Sequence, residues 1–223
     1  MESNNHILEN FNQIIRELPP HVQLVAVTKT YPAESVHILY GAGHRTFGEN
    51  RVQELLEKHA QLPKDIKWHL IGNLQSNKVK QIAAFIDTIE SIDSEKILTE
   101  VNRQAGRVGR KINVLLQVKI AREDTKFGLT PDEARELFEN YVDSQYENVI
   151  IDGLMGMATF TEDEEQIKSE FKILKALFDE FSAKKKLNTL SMGMSGDYGL
   201  AIECGATSVR IGSGIFGPRQ YVR

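Results

Sequence analysis

Asn113–Ile120 (NVLLQVKI), Thr130-Pro131-Asp132-Glu133 and Val149–Met155 (VIIDGLM) are consecutive landmarks in one segment, and together they decide the fold. The two flanking runs are apolar on both faces, the pattern of strands covered on both sides. Between them, Thr130 to Glu133 reads as a capping box with proline at the first helical position, so a helix starts there. Strand, helix and parallel strand make one βα repeat, and the same alternation extends in both directions. The other strand-like runs are Leu24–Lys29 (LVAVTK), Thr46–Glu49 (TFGE), Lys67–Gly72 (KWHLIG), Asp87–Glu90 (DTIE), Thr189–Met194 (TLSMGM) and Ser208–Gly212 (SVRIG), for a total of eight. Helical spacing recurs between them, at Ile97, Leu98, Val101, Ala105 and Val108 and at Ile167, Phe171, Leu174, Phe178 and Phe181. Thr161-Glu162-Asp163-Glu164 repeats the capping signal, and a leading helix with Ile7, Leu8, Phe11, Ile14, Ile15 and Leu18 on one face ends at Pro19-Pro20.

Eight βα units predict an α/β protein of the (β/α)8 TIM-barrel class with an extra N-terminal helix, and a doubly wound open sheet is the alternative. The 223 residues fit such a barrel, for which about 200 is near the floor. No Pro/Gly/Ser-rich linker or repeat interrupts the alternation, so a single domain over residues 1–223 is expected. Lys and Arg total 27 against 31 for Asp and Glu, and this net charge of −4 argues against a dedicated nucleic-acid binder. No apolar run approaches the roughly 18 residues of a membrane span. The start, Met1-Glu2-Ser3-Asn4-Asn5-His6, has no leader character. Cys204 is the lone cysteine, which suits a reducing, cytoplasmic compartment and reads as a small packed hydrophobe.

In a barrel the chemistry sits at the C-terminal ends of the strands. The glycines of Gly212-Ser213-Gly214-Ile215-Phe216-Gly217 match a dinucleotide fingerprint, but only six residues follow Gly217, too few for the rest of that motif. Phosphate sites in barrels commonly form from the loops after strands 7 and 8, which makes Ser195, Gly212 and Ser213 a candidate phosphate cup. The alternative is a set of turn glycines closing the last unit. Lys29 interrupts an apolar strand at its catalytic end. It reads either as a desolvated amine suited to a Schiff base or as a structural lysine paired inside the barrel with Glu49. Arg210 shares a strand face with Gly212 and can point at the cup. His69 beside Trp68 is a core histidine or a pocket residue, and Asn50 ends strand 2. The six histidines show no metal-ligand spacing, and no G-x-S-x-G elbow occurs, so no metal site is expected. Lys184-Lys185-Lys186 reads as a solvated helix end.

Five blocks carry a family resemblance: Val25–Lys29, Phe47–Glu54, Trp68–Lys78, Leu190–Ser195 and Val209–Gly217. In this order the chain resembles the pyridoxal-phosphate homeostasis proteins, also called proline synthetase co-transcribed proteins. The resemblance implies a barrel similar to the N-terminal domain of alanine racemase that binds pyridoxal 5′-phosphate (PLP). It implies that Lys29 carries the cofactor as a Schiff base, that Ser195, Gly212 and Ser213 hold the phosphate beside Met194, that Arg210 faces the pyridine nitrogen, and that Asn50 and His69 line the pocket. The segment before Lys126-Phe127-Gly128 departs from the family pattern. An arginine at the ring nitrogen weakens the electron sink, and racemases of that fold add a tyrosine from a separate C-terminal domain. This chain stops at Arg223, so the expectation is a PLP carrier or regulator with little or no turnover. The alternative is a PLP-dependent amino-acid racemase or decarboxylase. A phosphosugar-binding barrel without PLP is a third reading. The expected protein is a cytoplasmic monomer whose partners are PLP and apo PLP-dependent enzymes, with no nucleic acid and no membrane.

Overall fold

The computed structural model describes residues 2–122, 127–142 and 146–218. A leading helix, α1 (Glu2–Glu17), precedes eight strands: β1 (Gln23–Val27), β2 (Thr46–Glu49), β3 (Lys67–Leu70), β4 (Thr88–Ile92), β5 (Ile112–Val118), β6 (Val149–Gly156), β7 (Thr189–Ser191) and β8 (Ser208–Ile211). The helices between and after them are α2 (Ala33–Gly41), α3 (Val52–Gln61), α4 (Val79–Ile82), α5 (Glu95–Arg107), α6 (Pro131–Val142), α7 (Glu164–Ser182), α8 (Tyr198–Glu203) and α9 (Ser213–Phe216). The strands are all parallel and run β1 to β8 in chain order around a closed barrel. Closure comes from β1 pairing with β8, with Val25 opposite Arg210 and Ala26 opposite Ile211. That pairing excludes the open doubly wound sheet.

Partners across a parallel pair share a face, so the register sorts the side chains. Ala26, Phe47, Trp68, Leu70 and Ile89 point outward into the hydrophobic layer beneath the helices, where Phe138, Phe171 and Phe181 are also fully buried. Val25, Gly48, His69, Arg210 and Ser191 lie on the interior rows. Barrel interiors are usually filled by branched aliphatics. This one buries His69, Thr88, Glu90, Gln117, Ser191, Ser208 and Arg210. The apolar core that stabilises the fold therefore lies outside the sheet, and the interior is left for charge.

Five strands, β1, β3, β5, β7 and β8, end earlier than their apolar runs suggest, and the turns after β1 and β7 bear on the site. β1 stops at Val27 because Tyr31 N donates to Thr28 O at 3.1 Å and turns the chain at Lys29. β7 stops at Ser191, and Gly193 takes φ = 93° to start the next turn. A side chain at Gly193 would also put its Cβ 2.6 Å from the Cβ of Ala201.

The capping box at α6 is present in full. Thr130 Oγ1 accepts from Glu133 N at 3.2 Å, and Glu133 Oε2 accepts from Thr130 N at 2.8 Å. The second box is displaced. Asp163 caps α7, its Oδ1 accepting from Gln166 N at 3.1 Å, while Thr161 Oγ1 accepts only from Asp163 N at 3.2 Å. A carboxylate at the N-cap also complements the helix dipole, which favours aspartate over threonine there. Replacing Asp163 by Ala should lower stability by about 1 kcal/mol, and Thr161→Ala by clearly less, in urea denaturation. An equal loss for both would move the cap back to Thr161.

Candidate functional site

Lys29 sits where the chain leaves β1. Strand alternation turns Thr28 outward and Lys29 toward the barrel axis. Two residues of α3 hold the turn from outside. Lys58 Nζ donates to Thr28 O at 2.7 Å, and Glu54 Oε2 accepts from Thr30 N at 2.9 Å. Between them Thr30 takes φ = 69°, a left-handed conformation that costs a β-branched residue about 1–3 kcal/mol. The strain is confined to the residue after the candidate amine, and the α3 contacts hold it there. Glu49 is not the partner of Lys29. Its Oε1 accepts from Lys58 Nζ at 2.5 Å and from Thr28 Oγ1 at 2.6 Å, and Glu49 is fully buried. Burial pushes the Glu49 carboxyl above the usual range, against the opposing pull of the Lys58 charge.

The opposite wall comes from the loops after β7 and β8. Ser195 Oγ accepts from Gly212 N at 3.3 Å and from Gly214 N at 3.1 Å, tying the two loops together. A Cβ at Gly212 would lie 3.1 Å from Val27 O, so glycine lets β8 close tightly on β1. Asp197 Oδ1 accepts from Met194 N at 2.5 Å and shapes the first loop. Among the described residues, no hydrogen bond uses the N–H groups of Ser195, Gly196 or Ser213. Together with the Ser213 hydroxyl, these neutral donors suit a phosphate dianion.

Arg210, 3% exposed, forms the floor. Its Nη1 donates to Ser191 Oγ at 2.5 Å and its Nη2 to Gly156 O at 3.0 Å. Glu90 lies beneath, fully buried, accepting from Ser191 Oγ at 2.6 Å and from His69 Nδ1 at 2.7 Å. Burial raises the Glu90 pKa, but the His69 hydrogen bond and charge, with Arg210 and Ser191, hold it below the ordinary value. Burial pulls Arg210 below the usual arginine range.

One cavity of about 660 Å³ joins these walls. Lys29, Asn50, Met194, Ser195, Arg210, Gly212 and Ser213 all line it. His69 does not: it sits one layer deeper, its Nε2 3.7 Å from Asp87 Oδ2. Residue-type reasoning missed Gln117 and the wall Met157–Thr161, which carries no charged residue to signal it. Buried Glu170 of α7 anchors that wall through Thr159 N at 2.6 Å and Thr159 Oγ1 at 2.8 Å. Lys126 lies outside the described residues. Lys184 bonds Glu139, and Lys185 Nζ donates to Tyr141 OH at 2.9 Å, so the basic run ties α7 to α6. Burial raises the pKa of Cys204, as expected of a packed thiol.

Residues 3–220 match the family described as "Alanine racemase, N-terminal domain". A "Pyridoxal phosphate homeostasis protein" of Pasteurella multocida (strain Pm70) is 39% identical over 206 residues, 90% of this chain and 88% of that protein. The chain belongs to the pyridoxal phosphate homeostasis protein family. A human protein of the same name is 42% identical over 224 residues, covering 92% of this chain and 80% of its own. Among solved structures, PipY of Synechococcus elongatus PCC7942 without PLP superposes with TM-score 0.89 at 38% identity, over 95% of this chain and 100% of that one. The same protein with PLP bound gives 0.86 at 37% identity over the same shares. An alanine racemase of Clostridium difficile 630 shares the fold, with TM-score 0.77 at 16% identity, over 98% of this chain and 58% of the racemase.

The outer brace on Lys29 is testable through Glu49. Lys58→Met should destabilise the protein by about 3–5 kcal/mol, because it leaves a buried carboxylate without its cation. Without the lysine, the folded-state pKa of Glu49 rises further above the unfolded value. The folded state then binds more protons between those two values, so the variant should gain stability as pH falls through that window. Adding Glu49→Leu should recover most of the loss in urea denaturation. A Lys58→Met variant as stable as the parent at neutral pH would contradict the pairing.

Proposed function

We propose that this chain binds pyridoxal 5′-phosphate at the barrel mouth, holds it reversibly on Lys29, and serves intracellular PLP homeostasis by buffering or supplying the cofactor. The observation that carries the reading is the convergence on one cavity of an amine, a guanidinium and a neutral phosphate cradle, from Lys29, Arg210 and the Ser195/Gly212–Ser213 loops. This donor set fits PLP end to end. When bound, PLP supplies an aldehyde carbon that a lysine amine can attack and a pyridine ring that can accept electron density. Lys29 is half-buried on a braced turn, so its amine is presented at a fixed point of the wall. The Ser195 and Ser213 hydroxyls and the loop N–H groups hold the phosphate. Asn50, on the same cavity, would supply an amide to the bound cofactor. Arg210, a donor only, would donate to the ring nitrogen and leave that nitrogen unprotonated.

This last feature favours carriage over turnover, because an unprotonated ring stabilises a carbanion poorly. The relatives bearing the homeostasis name, and the PLP-bound PipY structure, support the same choice. Within this proposal the protein is one barrel domain that acts in the cytoplasm as a monomer and hands PLP to apo-enzymes. No helix among the described residues is long and apolar enough to cross a membrane.

Borohydride reduction of the PLP-treated protein, followed by peptide mass mapping, tests the assignment. The mass increment should fall on Lys29, and Lys29→Ala should lose both the increment and the visible absorbance. An increment on another lysine, or none, would overturn it. Turnover above roughly 1 s⁻¹ with any amino acid would favour the racemase or decarboxylase alternative.

A further inference from the structure

Arg210 brings a positive charge into the barrel, and that charge sets the hydrogen-bond role of the serine beside it. A guanidinium only donates. The 2.5 Å contact from Arg210 Nη1 therefore makes Ser191 Oγ an acceptor, which leaves the serine hydroxyl hydrogen for Glu90 Oε2 at 2.6 Å. Glu90 Oε1 faces His69 Nδ1 at 2.7 Å. One carboxylate oxygen thus accepts from Ser191 and the other meets the His69 ring, and the Arg210 charge, with Nη1 3.7 Å from Glu90 Oε2, favours the ionised form. Nη2 is held by Gly156 O at 3.0 Å. Among the described residues no hydrogen bond uses the Arg210 Nε–H, and Arg210 lines the cavity. The guanidinium is held by Ser191 and Gly156 while the residue lines the cavity.

We propose that Glu90 is a positioning residue for Arg210: acting through Ser191, it fixes the guanidinium and supplies the buried negative charge against which Arg210 meets the ring nitrogen. The proposal rests on the PLP reading of the cavity. Glu90 reaches no part of the cavity itself. The charged and titratable groups around the couple are His69 from β3, with Asp87 behind it, and Asp197, whose charge acts on Arg210 from the α8 cap. Lys29 lines the cavity above.

Glutamine at position 90 keeps the shape of the side chain and removes its charge. Its NH2 fits only if the His69 ring presents Nδ1 as an acceptor or Ser191 turns its hydroxyl hydrogen away, and in either case Arg210 loses its buried counter-charge. In Glu90→Gln, borohydride reduction should still place the cofactor on Lys29. The PLP Kd should rise about tenfold or more, since hydrogen bonds to charged groups are at stake. The pH midpoint of the visible absorption band should fall by about one unit, because a buried negative charge that favours proton retention is gone. Glu90→Asp, which keeps the charge, should restore most of the midpoint. Ser191→Ala should weaken Kd several-fold with the midpoint nearly unmoved, and it decides the matter if Glu90→Gln does not fold. Wild-type Kd and midpoint in Glu90→Gln, or wild-type Kd in Ser191→Ala where only that variant folds, would overturn the role of Glu90 while leaving PLP binding intact. A parent protein that takes up no PLP on Lys29 would instead remove the reading beneath it.

Discussion

A guanidinium that cannot lose its proton, placed inside a closed sheet, constrains the rest of this structure. Arg210 is 3% exposed, and burying such a charge alone is prohibitive. The barrel answers with Glu90 from β4, Ser191 from β7, the Gly156 carbonyl from β6 and His69 from β3. These groups span most of the barrel circumference, so the network also cross-links strands distant in sequence. An interior given to charge cannot be the main hydrophobic core. That role passes to the layer between sheet and helices, where Trp68, Phe47 and three further phenylalanines are fully buried.

A second buried charge pair works from the other side of the sheet. Glu49 and Lys58 lie in the outer layer, and their contact with the Thr28 carbonyl fixes the turn from which Lys29 projects inward. One pair sits behind Lys29 and the other beneath the cavity that Arg210 lines. Between them the loops after β7 and β8 supply donors without formal charge, so this wall of the cavity differs in kind from the walls that carry Lys29 and Arg210.

How far this was legible from sequence follows from the physics of each element. Short β-branched or aliphatic runs, several of them apolar on both faces, announce strands, and all eight are readable at the positions where strands form. Their ends are not, because the turns at Lys29 and Gly193 depend on hydrogen bonds to distant residues. Lys29, Ser195, Arg210 and the glycine loop stood out as polar residues at strand ends, and the structure gathers them on one cavity. His69 shares the interior face but lies one layer too deep, a distance that alternation alone does not report. Glu90 carries no signal in the sequence, because DTIE reads as an ordinary alternating strand until closure makes one of its faces interior. Lys58 hid in an amphipathic helix, where a lysine is by default solvated. The cap of α7 slipped from Thr161 to Asp163 because both residues fit the pattern and only geometry separates them.

On the proposed reading Arg210, held in place by its buried partners, would meet the cofactor's ring nitrogen and keep it unprotonated. The most direct measurement is the ¹⁵N NMR shift of PLP labelled in the pyridine ring and bound to the intact protein near neutral pH. A ring nitrogen that accepts from Arg210 should give the shift of a neutral, hydrogen-bonded pyridine. A pyridinium shift would contradict it, and would place an acid, not Arg210, at that position.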